Sequence, residues 1–239
     1  MFFVKNRLSL FFVFISFASY SQNFIKDLGN LQWLQYGNNF QFSKKWSMDT
    51  DLNLRWKDVF SNRLQYIARS SLGYKLKPEV KLSLGFAYSR FYENHKINRL
   101  EYRPYQQVGY SKKYGKLRIG HRIRIEQRFF TQKNHIEQEL PQYFFKHRFR
   151  YRLSFSAPFS KKNKLFFGIS NELHICAAKD KSTSILDQNR LLLGPAYRIT
   201  KKALLSLSYQ GLLSSGSVIN TYHYYHTVFF SLKHTIQLS

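Results

Sequence analysis

The stretch WSMDTDLNLRWK, residues 46–57, decides the fold because its side chains change character at every position. In an extended strand, successive side chains point to opposite faces. The stretch therefore predicts a strand with one mainly apolar face and one polar, charged face. The apolar face carries Trp46, Met48, Thr50, Leu52, Leu54 and Trp56, and the polar face carries Ser47, Asp49, Asp51, Asn53, Arg55 and Lys57.

The same two-residue alternation recurs along the chain to its C-terminus. It predicts strands at residues 31–42 (the weakest), 46–57, 63–76, 80–92, 99–110, 117–129, 143–157, 165–175, 188–199, 203–213 and 222–238. The connections alternate between short turns, each containing a lysine, and longer loops. This alternation is typical of outer-membrane β-barrels, in which the short turns face the periplasm.

Alternation alone does not say which face points inward, because a soluble sandwich or a lipocalin-like barrel buries its apolar face. Three features favour the opposite arrangement. The strands are about ten residues or longer, as a tilted membrane strand requires. Phe and Tyr are frequent near strand ends, as in interfacial girdles, and the connections alternate in length. We therefore expect apolar side chains to face lipid and charged side chains to face the lumen.

The number of strands follows less directly from the pattern. Eleven strands are visible, whereas bacterial single-chain barrels normally have an even number. A short extra strand within Gln22–Asp27, turning at Leu28–Asn30, would restore an even total. The prediction is an all-β fold: a transmembrane antiparallel up-and-down β-barrel of about twelve strands, with ten as the alternative, formed by residues 22–239.

Residues 1–21 have the composition of a secretory signal peptide. Lys5 and Arg7 precede the apolar stretch Leu8–Ala18, and the small residues Ser19 and Ser21 precede a cleavage point before Gln22. The apolar stretch is too short to cross a bilayer as a helix. We expect export, cleavage and insertion into the cell outer membrane; a retained N-terminal anchor is the alternative.

The charge balance of the 239-residue chain indicates anionic partners. It has 38 Lys and Arg residues against 13 Asp and Glu, a formal net charge of +25. Nucleic acid, an anionic membrane surface and acidic small molecules are all consistent with such an excess. The export signal and the even spread of basic residues argue against nucleic acid. The predicted partners are outer-membrane lipid and lipopolysaccharide, together with small anions.

A ladder of basic residues occupies the polar phase of neighbouring strands and is the main candidate site. Its members are Arg118, Arg122, Arg124, Arg128, Lys146, Arg148, Arg150, Arg152 and Arg190. Like charges on adjacent strands repel and require counter-charges, and the acidic residues in the same phase are Glu101, Glu126 and Glu172. One hypothesis is an Arg–Glu network that fills the lumen and fixes its shape. The other is a positive lumen that binds or passes anions.

Signals for catalysis are weak, so we predict no enzyme and no cofactor. His121 and Ser206 could belong to a hydrolase site, but nothing in the sequence places them together. His223 and His226 are three residues apart in a strand, on opposite faces, so we predict no metal site. His135, Glu137 and Glu139 lie in the longest loop, and the single cysteine, Cys176, has no local base.

Several local stretches, in their order along the chain, resemble a known family. They are His121-Arg-Ile-Arg-Ile-Glu-Gln-Arg128, Arg148-Phe-Arg-Tyr-Arg152 and Asp187-Gln-Asn-Arg190, with the Lys44-Lys45-Trp46 turn and the strand around Arg55. From about Leu31 to its end, the chain resembles the outer-membrane β-barrel family called domain of unknown function 2490. The resemblance implies an outer-membrane protein of a Gram-negative envelope and implies no substrate or activity.

Composition and resemblance together give two functional hypotheses. The first is a porin-like outer-membrane barrel with an Arg-lined lumen that passes or binds small anions. The alternative is a structural or surface-interaction barrel whose lumen is plugged by an Arg–Glu network and transports nothing.

Overall fold

The strands of the protein close into one ring, in the order in which they occur along the chain. The computed structural model describes residues 24–132, 142–160, 164–177, 185–216 and 221–238. The predicted signal peptide and the loop residues His135, Glu137 and Glu139 lie outside these ranges. The strands are β1 (Phe24–Gln41), β2 (Trp46–Lys57), β3 (Asn62–Lys77), β4 (Val80–Glu93), β5 (Lys96–Tyr114), β6 (Leu117–Gln132), β7 (Gln142–Pro158), β8 (Leu165–Ala177), β9 (Leu186–Arg198), β10 (Ala203–Ser215) and β11 (Thr221–Gln237).

The ring is closed by a parallel pair, β1 with β11, whereas consecutive strands pair antiparallel. The parallel register runs from Phe24 opposite Thr221 to Gln41 opposite Gln237. A parallel closing pair lets the ring contain an odd number of strands. The described residues therefore form eleven strands, one fewer than the even total of about twelve that the sequence predicted. The all-β barrel itself is confirmed.

The difference in strand count arises at the start of β1. The sequence predicted a chain reversal at Leu28–Asn30, but Phe24–Gln41 is one continuous strand. Its register with β11 shifts between Asp27 and Asn30. There, Gly29 has a positive φ of 95°, and its backbone N–H donates to the Asp27 carboxylate at 2.9 Å. The chain therefore bulges here while it stays paired with β11, and no separate N-terminal strand forms in the described residues.

The two ends of the barrel, here called the turn end and the loop end, differ in the length of their connections. The turn end carries the connections at residues 42–45, 78–79, 115–116, 159–164 and 199–202. The loop end carries those at residues 58–61, 94–95, 133–141, 178–185 and 216–220. The connection between β4 and β5 is much shorter than the interval 93–98 between the predicted strands 80–92 and 99–110, because β4 ends at Glu93 and β5 begins at Lys96. Asn94 and His95 have φ of 48° and 62°, as in the tight two-residue turns that suit hairpins.

The wall of the barrel exposes apolar side chains outward and holds charged side chains inside. Ile123 on β6 is 43% exposed and Phe149 on β7 is 42% exposed, whereas Glu101 on β5 and Arg150 on β7 are 0% and 5% exposed. A soluble barrel has the reverse distribution. An outward apolar surface over a charged interior is the arrangement that a lipid surround requires.

Aromatic side chains pair on the outer surface at both ends of the barrel. At the turn end, the ring centroids of Trp46 and Tyr74 are 4.9 Å apart. At the loop end, those of Phe129 and Phe145 are 4.8 Å apart. These pairs occupy the positions at which membrane barrels carry interfacial girdles. No helix long and apolar enough to cross a bilayer occurs in the described ranges.

Polar residues that interrupt the apolar outer face bond to one another. Gln127 donates to Gln106 at 3.1 Å, and Asn171 donates to Asn189 at 2.7 Å. A ring nitrogen of His121 lies 2.8 Å from the Tyr151 hydroxyl. Since unsatisfied polar groups are costly in lipid, this mutual pairing lets polar side chains occupy the outer surface.

We predict that an arginine at Ile123, near the middle of β6, lowers the free energy of unfolding by about 2–4 kcal/mol, because a charge near the bilayer midplane must be desolvated. The measurement is denaturant unfolding in lipid vesicles. Tyr143→Arg at the end of β7 is the matched control, with an expected cost of about 0–1 kcal/mol near the interface. Equal costs for the two variants would contradict the assigned depth.

Candidate functional site: the charged lumen

A network of ion pairs begins at Arg148, which points into the lumen from β7. Its Nε and Nη2 donate to one Glu126 oxygen at 2.8 and 2.5 Å, and its Nη1 donates to Asp187 at 3.0 Å. Arg148 and Glu126 are directly opposite in the β6–β7 register, which explains why they meet. Both are nearly fully buried. One guanidinium therefore links carboxylates from β6 and β9.

Toward the turn end, the network continues through Arg150 and Glu172. Arg150 donates through Nη1 to Glu126 at 2.6 Å, and its Nη2 lies 2.8 Å from Glu172. Glu172 also accepts from Arg122 at 2.5 Å. Charge-assisted bonds of this kind are shorter and stronger than neutral ones, so β6, β7 and β8 are cross-linked on their inner faces.

Toward the loop end, the network continues through Asp187 and Arg128. The Nη1 of Arg128 lies 3.8 Å from Asp187, and its Nε donates to Glu101 at 2.5 Å. Glu101 also accepts from Arg103 at 2.7 Å. Positive and negative groups thus alternate along one connected series, the ionic series, on β5–β9: Arg103, Glu101, Arg128, Asp187, Arg148, Glu126, Arg150, Glu172 and Arg122.

An apolar cluster lies on the opposite side of the lumen. Leu31, Trp33 and Leu212 form a buried cluster, here called the apolar cluster, against which Leu64, Tyr225 and Phe229 pack. These residues come from β1, β3, β10 and β11. The ionic series therefore lies on one side of the lumen, on β5–β9, and the apolar cluster lies on the other side, next to the parallel seam, together with polar residues such as Lys233.

Two arginines flank the ring of Trp33 where the two sides meet. The guanidinium carbon of Arg55 lies 3.7 Å from the ring centroid, and that of Arg190 lies 5.3 Å away. Arg55 also donates to Gln65 at 2.8 Å. Stacking a guanidinium on an indole is favourable, more so when water is excluded, so these contacts hold Trp33 in the lumen.

Trp33 and Arg55 line both of the cavities described inside the barrel. One cavity, of about 660 Å³, opens toward the loop end and reaches Arg63 and Arg99. The other, of about 460 Å³, lies toward the turn end and reaches Lys233 and Thr235. We call these the loop-end cavity and the turn-end cavity. The indole and its stacked guanidinium form the boundary between them.

The turn-end cavity is strongly positive. Its lining contains eight Lys or Arg side chains and three Asp or Glu side chains. Arg55, Arg152, Arg190 and Lys233 belong to this lining. Within the residues that the structure describes, none of these four has a carboxylate within 4.0 Å. The cavity therefore holds positive charge that its own acidic groups do not compensate.

The predicted ladder separates into distinct environments. Arg122, Arg128, Arg148 and Arg150 belong to the ionic series. Arg124 lies beside it, 3.6 Å from Glu126, and donates to Gln107 at 2.6 and 2.9 Å. The three predicted acids, Glu101, Glu126 and Glu172, all belong to the series.

The other ladder residues lie elsewhere. Arg118 is exposed at the turn end, where it donates to Ser111 at 3.3 Å, because it is only the second residue of β6. Lys146 is half-buried and has no carboxylate within 4.0 Å in the described ranges. Arg190 donates to Gln188 at 3.1 Å instead of to an acid. Arg152 lines the turn-end cavity.

Several lumen residues were not among the predicted site residues. Asp187 was missed because it lies just before the predicted strand at 188–199. Arg103 was missed because nothing distinguished it from the other polar residues of the predicted strand at 99–110. The pair Arg69 and Asp51, with Nε and Nη2 bonds of 2.7–3.0 Å, joins β2 and β3. Trp33 lies in a weakly alternating strand. Its odd position, shared with the lumen-facing residues of that strand, was the feature that could have predicted its inward orientation.

The structure separates the residues considered for catalysis. His121 points outward beside Tyr151, whereas Ser206 lines the turn-end cavity. They therefore lie on opposite sides of the barrel wall. Cys176 is buried, and its sulfur is 4.0 Å from the Arg128 guanidinium. Within the described ranges, no group of three or more His, Cys, Asp or Glu side chains is placed to hold a metal ion.

An apolar exterior, a closed sheet and a charged interior together define a membrane-type β-barrel. The chain belongs to the family described as protein of unknown function (DUF2490), which matches residues 30–221. This match confirms the family that the sequence resembles. No curated protein matches the chain.

Solved structures with a similar fold are distant in sequence. The NanC porin is 13% identical, with a TM-score of 0.47 over 74% of this chain and 78% of that one. A mutant of the ferric enterobactin receptor PfeA from Pseudomonas aeruginosa is 9% identical, with a TM-score of 0.34 over 73% of this chain and 35% of the receptor. The siderophore receptor PirA from Pseudomonas aeruginosa is 12% identical, with a TM-score of 0.30 over 73% and 33%.

We predict that Glu126→Gln destabilises the barrel by about 3–5 kcal/mol, because it removes the buried carboxylate shared by Arg148 and Arg150 and leaves both guanidiniums undercompensated. Denaturant unfolding in vesicles measures this cost. Glu79→Gln, in the β3–β4 turn, changes the same functional group outside the lumen and should cost little. A loss as small as that of the control would show that the ionic series does not support the fold.

Proposed function

We propose that the protein is an outer-membrane barrel that binds small anions in its lumen and lets them pass, without catalysis. The observation that carries this proposal is the lining of the turn-end cavity, with eight basic side chains against three acidic ones. Rings of Arg and Lys are the means by which pores select anions. A low-dielectric wall around such an excess raises the local concentration of negative ions.

The location rests on the sequence and on the facing of the barrel. The signal-peptide pattern at residues 1–21 supports export, and the apolar exterior suits a bilayer. By the usual polarity of such barrels, the turn end faces the periplasm. The turn-end cavity would then lie on the periplasmic side of Trp33, and the loop-end cavity would be open to the exterior. Membrane lipid and lipopolysaccharide would surround the apolar face.

A second candidate is a closed structural barrel that transports nothing. Two observations favour it: the ionic series cross-links five neighbouring strands, and Trp33 with Arg55 lies between the cavities. In this case the positive charge would set the shape and surface interactions of the barrel. Conductance separates the two candidates.

We predict anion-selective conductance in planar bilayers, and a weaker anion preference in the double variant Arg152→Gln and Arg190→Gln. The lining would then contain six basic groups rather than eight, so the reversal potential under a salt gradient should move toward zero. These two arginines are suitable targets because neither leaves a carboxylate without its partner.

The control for this experiment is Lys77→Gln, an exposed charge at the turn end of β3, which should leave the reversal potential unchanged. Absence of conductance at every voltage would exclude passage and favour the closed barrel. Conductance with cation preference would contradict the proposed role of the lumen charge.

We predict that Trp33→Ala increases single-channel conductance, because it removes the indole that separates the loop-end and turn-end cavities. Bilayer recording measures the change, and a heat-shift gel verifies folding. Trp46→Ala is the matched control, since Trp46 is 44% exposed on the outer surface and should not alter conductance. Equal conductance in all three proteins would place the restriction elsewhere.

A further inference from the structure

One carboxylate in the turn-end cavity is surrounded by more arginines than it can neutralise. Glu172 lies directly opposite Arg152 in the β7–β8 register and directly opposite Arg190 in the β8–β9 register. Its Oε1 nevertheless binds both Arg122 and Arg150, at 2.5 and 2.8 Å, and its Oε2 lies 3.6 Å from the Nε2 of His174. Arg152 and Arg190 are therefore left without the acid that their register would provide.

Arg152 is additionally placed against a like charge. It lies directly opposite Arg122 in the β6–β7 register, where a pair of equal charges is destabilising. The Nε atoms of both residues are buried and have no hydrogen-bond acceptor in the described residues. Buried donors without acceptors are costly, so this position requires an acceptor that the strands themselves do not provide.

Lys233 brings a second uncompensated charge to the same cavity from the far side of the ring. It lines the turn-end cavity together with Arg122 and Arg152. Its stem lies close to Gly37, where an added Cβ would meet the Lys233 Cγ at 3.9 Å. Gly37 lies opposite Lys233 in the β1–β11 register and opposite Asp51 in the β1–β2 register, so Asp51 is the acid placed nearest to Lys233 along the sheet. Since Asp51 is engaged by Arg69 at 2.7 Å, two positive charges, on Arg152 and Lys233, remain to be balanced here.

We infer that Arg152, Lys233 and the free Nε of Arg122 form a binding site for a small, doubly charged oxyanion of the hydrogen-phosphate type. This inference rests on the proposed function and names the ligand class of its cavity. The planar fork of arginine matches the oxygens of phosphate and carboxylate groups, whereas a spherical ion uses only part of it. Of the four basic residues in this cavity that have no carboxylate within 4.0 Å among the described residues, Arg55 and Arg190 lie over the Trp33 ring. Arg152 and Lys233 are the remaining two, and their combined charge matches that of a dianion.

The test is calorimetric titration of the purified full-length barrel in detergent micelles with inorganic phosphate at pH 8, and with nitrate at equal ionic strength. Phosphate should bind saturably with one ion per barrel, and nitrate should bind more weakly. Loss of one charge-assisted contact should weaken phosphate binding about tenfold or more in Arg152→Gln and, separately, in Lys233→Gln. Lys202→Gln, an exposed charge in the neighbouring turn, should bind phosphate as the wild type does.

Absence of saturable phosphate binding, equal binding of nitrate, or wild-type binding by both site variants would overturn the inference. If Arg152→Gln does not fold, Lys233→Gln and the comparison of phosphate with nitrate still decide it. Anion-selective conductance without phosphate binding would remove the site and leave the pore. Phosphate binding without conductance would remove the pore and leave the site.

Discussion

The hydrogen-bonded closure of the sheet is the constraint on which the other features depend. A lipid surround provides no partner for a free backbone N–H or C=O, so a membrane sheet must have no open edge. Here the last edge is closed by parallel pairing of β1 with β11. That seam permits an odd strand number, and it brings Leu31 and Trp33 of β1 beside Tyr225 and Phe229 of β11.

The charges inside the ring form two different arrangements. On β5–β9, acids and arginines alternate closely enough to neutralise one another, and removing a partner from such a buried pair is costly. Around the turn-end cavity, positive charge exceeds negative charge, and Arg55, Arg152, Arg190 and Lys233 lack acidic partners among the described residues. The first arrangement joins neighbouring strands of the wall, whereas the second leaves an excess of positive charge in the cavity. The plugged part and the positive part of the lumen are thus different regions of one barrel.

The alternation of side chains was sufficient to predict the strands, because the period of two is a local property of each strand. Strand length, aromatic placement and loop lengths added the inverted facing, and a few short stretches in their order along the chain added the family. The alternation could not predict the pairing of particular charges. Which arginine binds Glu172 depends on side-chain reach across three strands, so Arg152 remains unpaired although it faces that acid directly. Nor could it predict the strand count, because the bulge at Asp27–Asn30 depends on a long-range partner, β11. The inward positions of Trp33 and Leu31 were not predicted, because the alternation assigns apolar side chains to the outer face of the barrel.

The placement of the three tryptophans has a spectroscopic consequence. Trp46 and Trp56 share the parity that points toward acyl chains, whereas Trp33 is 3% exposed inside the wall, against two guanidiniums. A quencher dissolved in lipid should reach the first two indoles, whereas the barrel wall shields the third from it. Intrinsic tryptophan fluorescence therefore distinguishes the lipid-facing surface of the barrel from its interior without an added label.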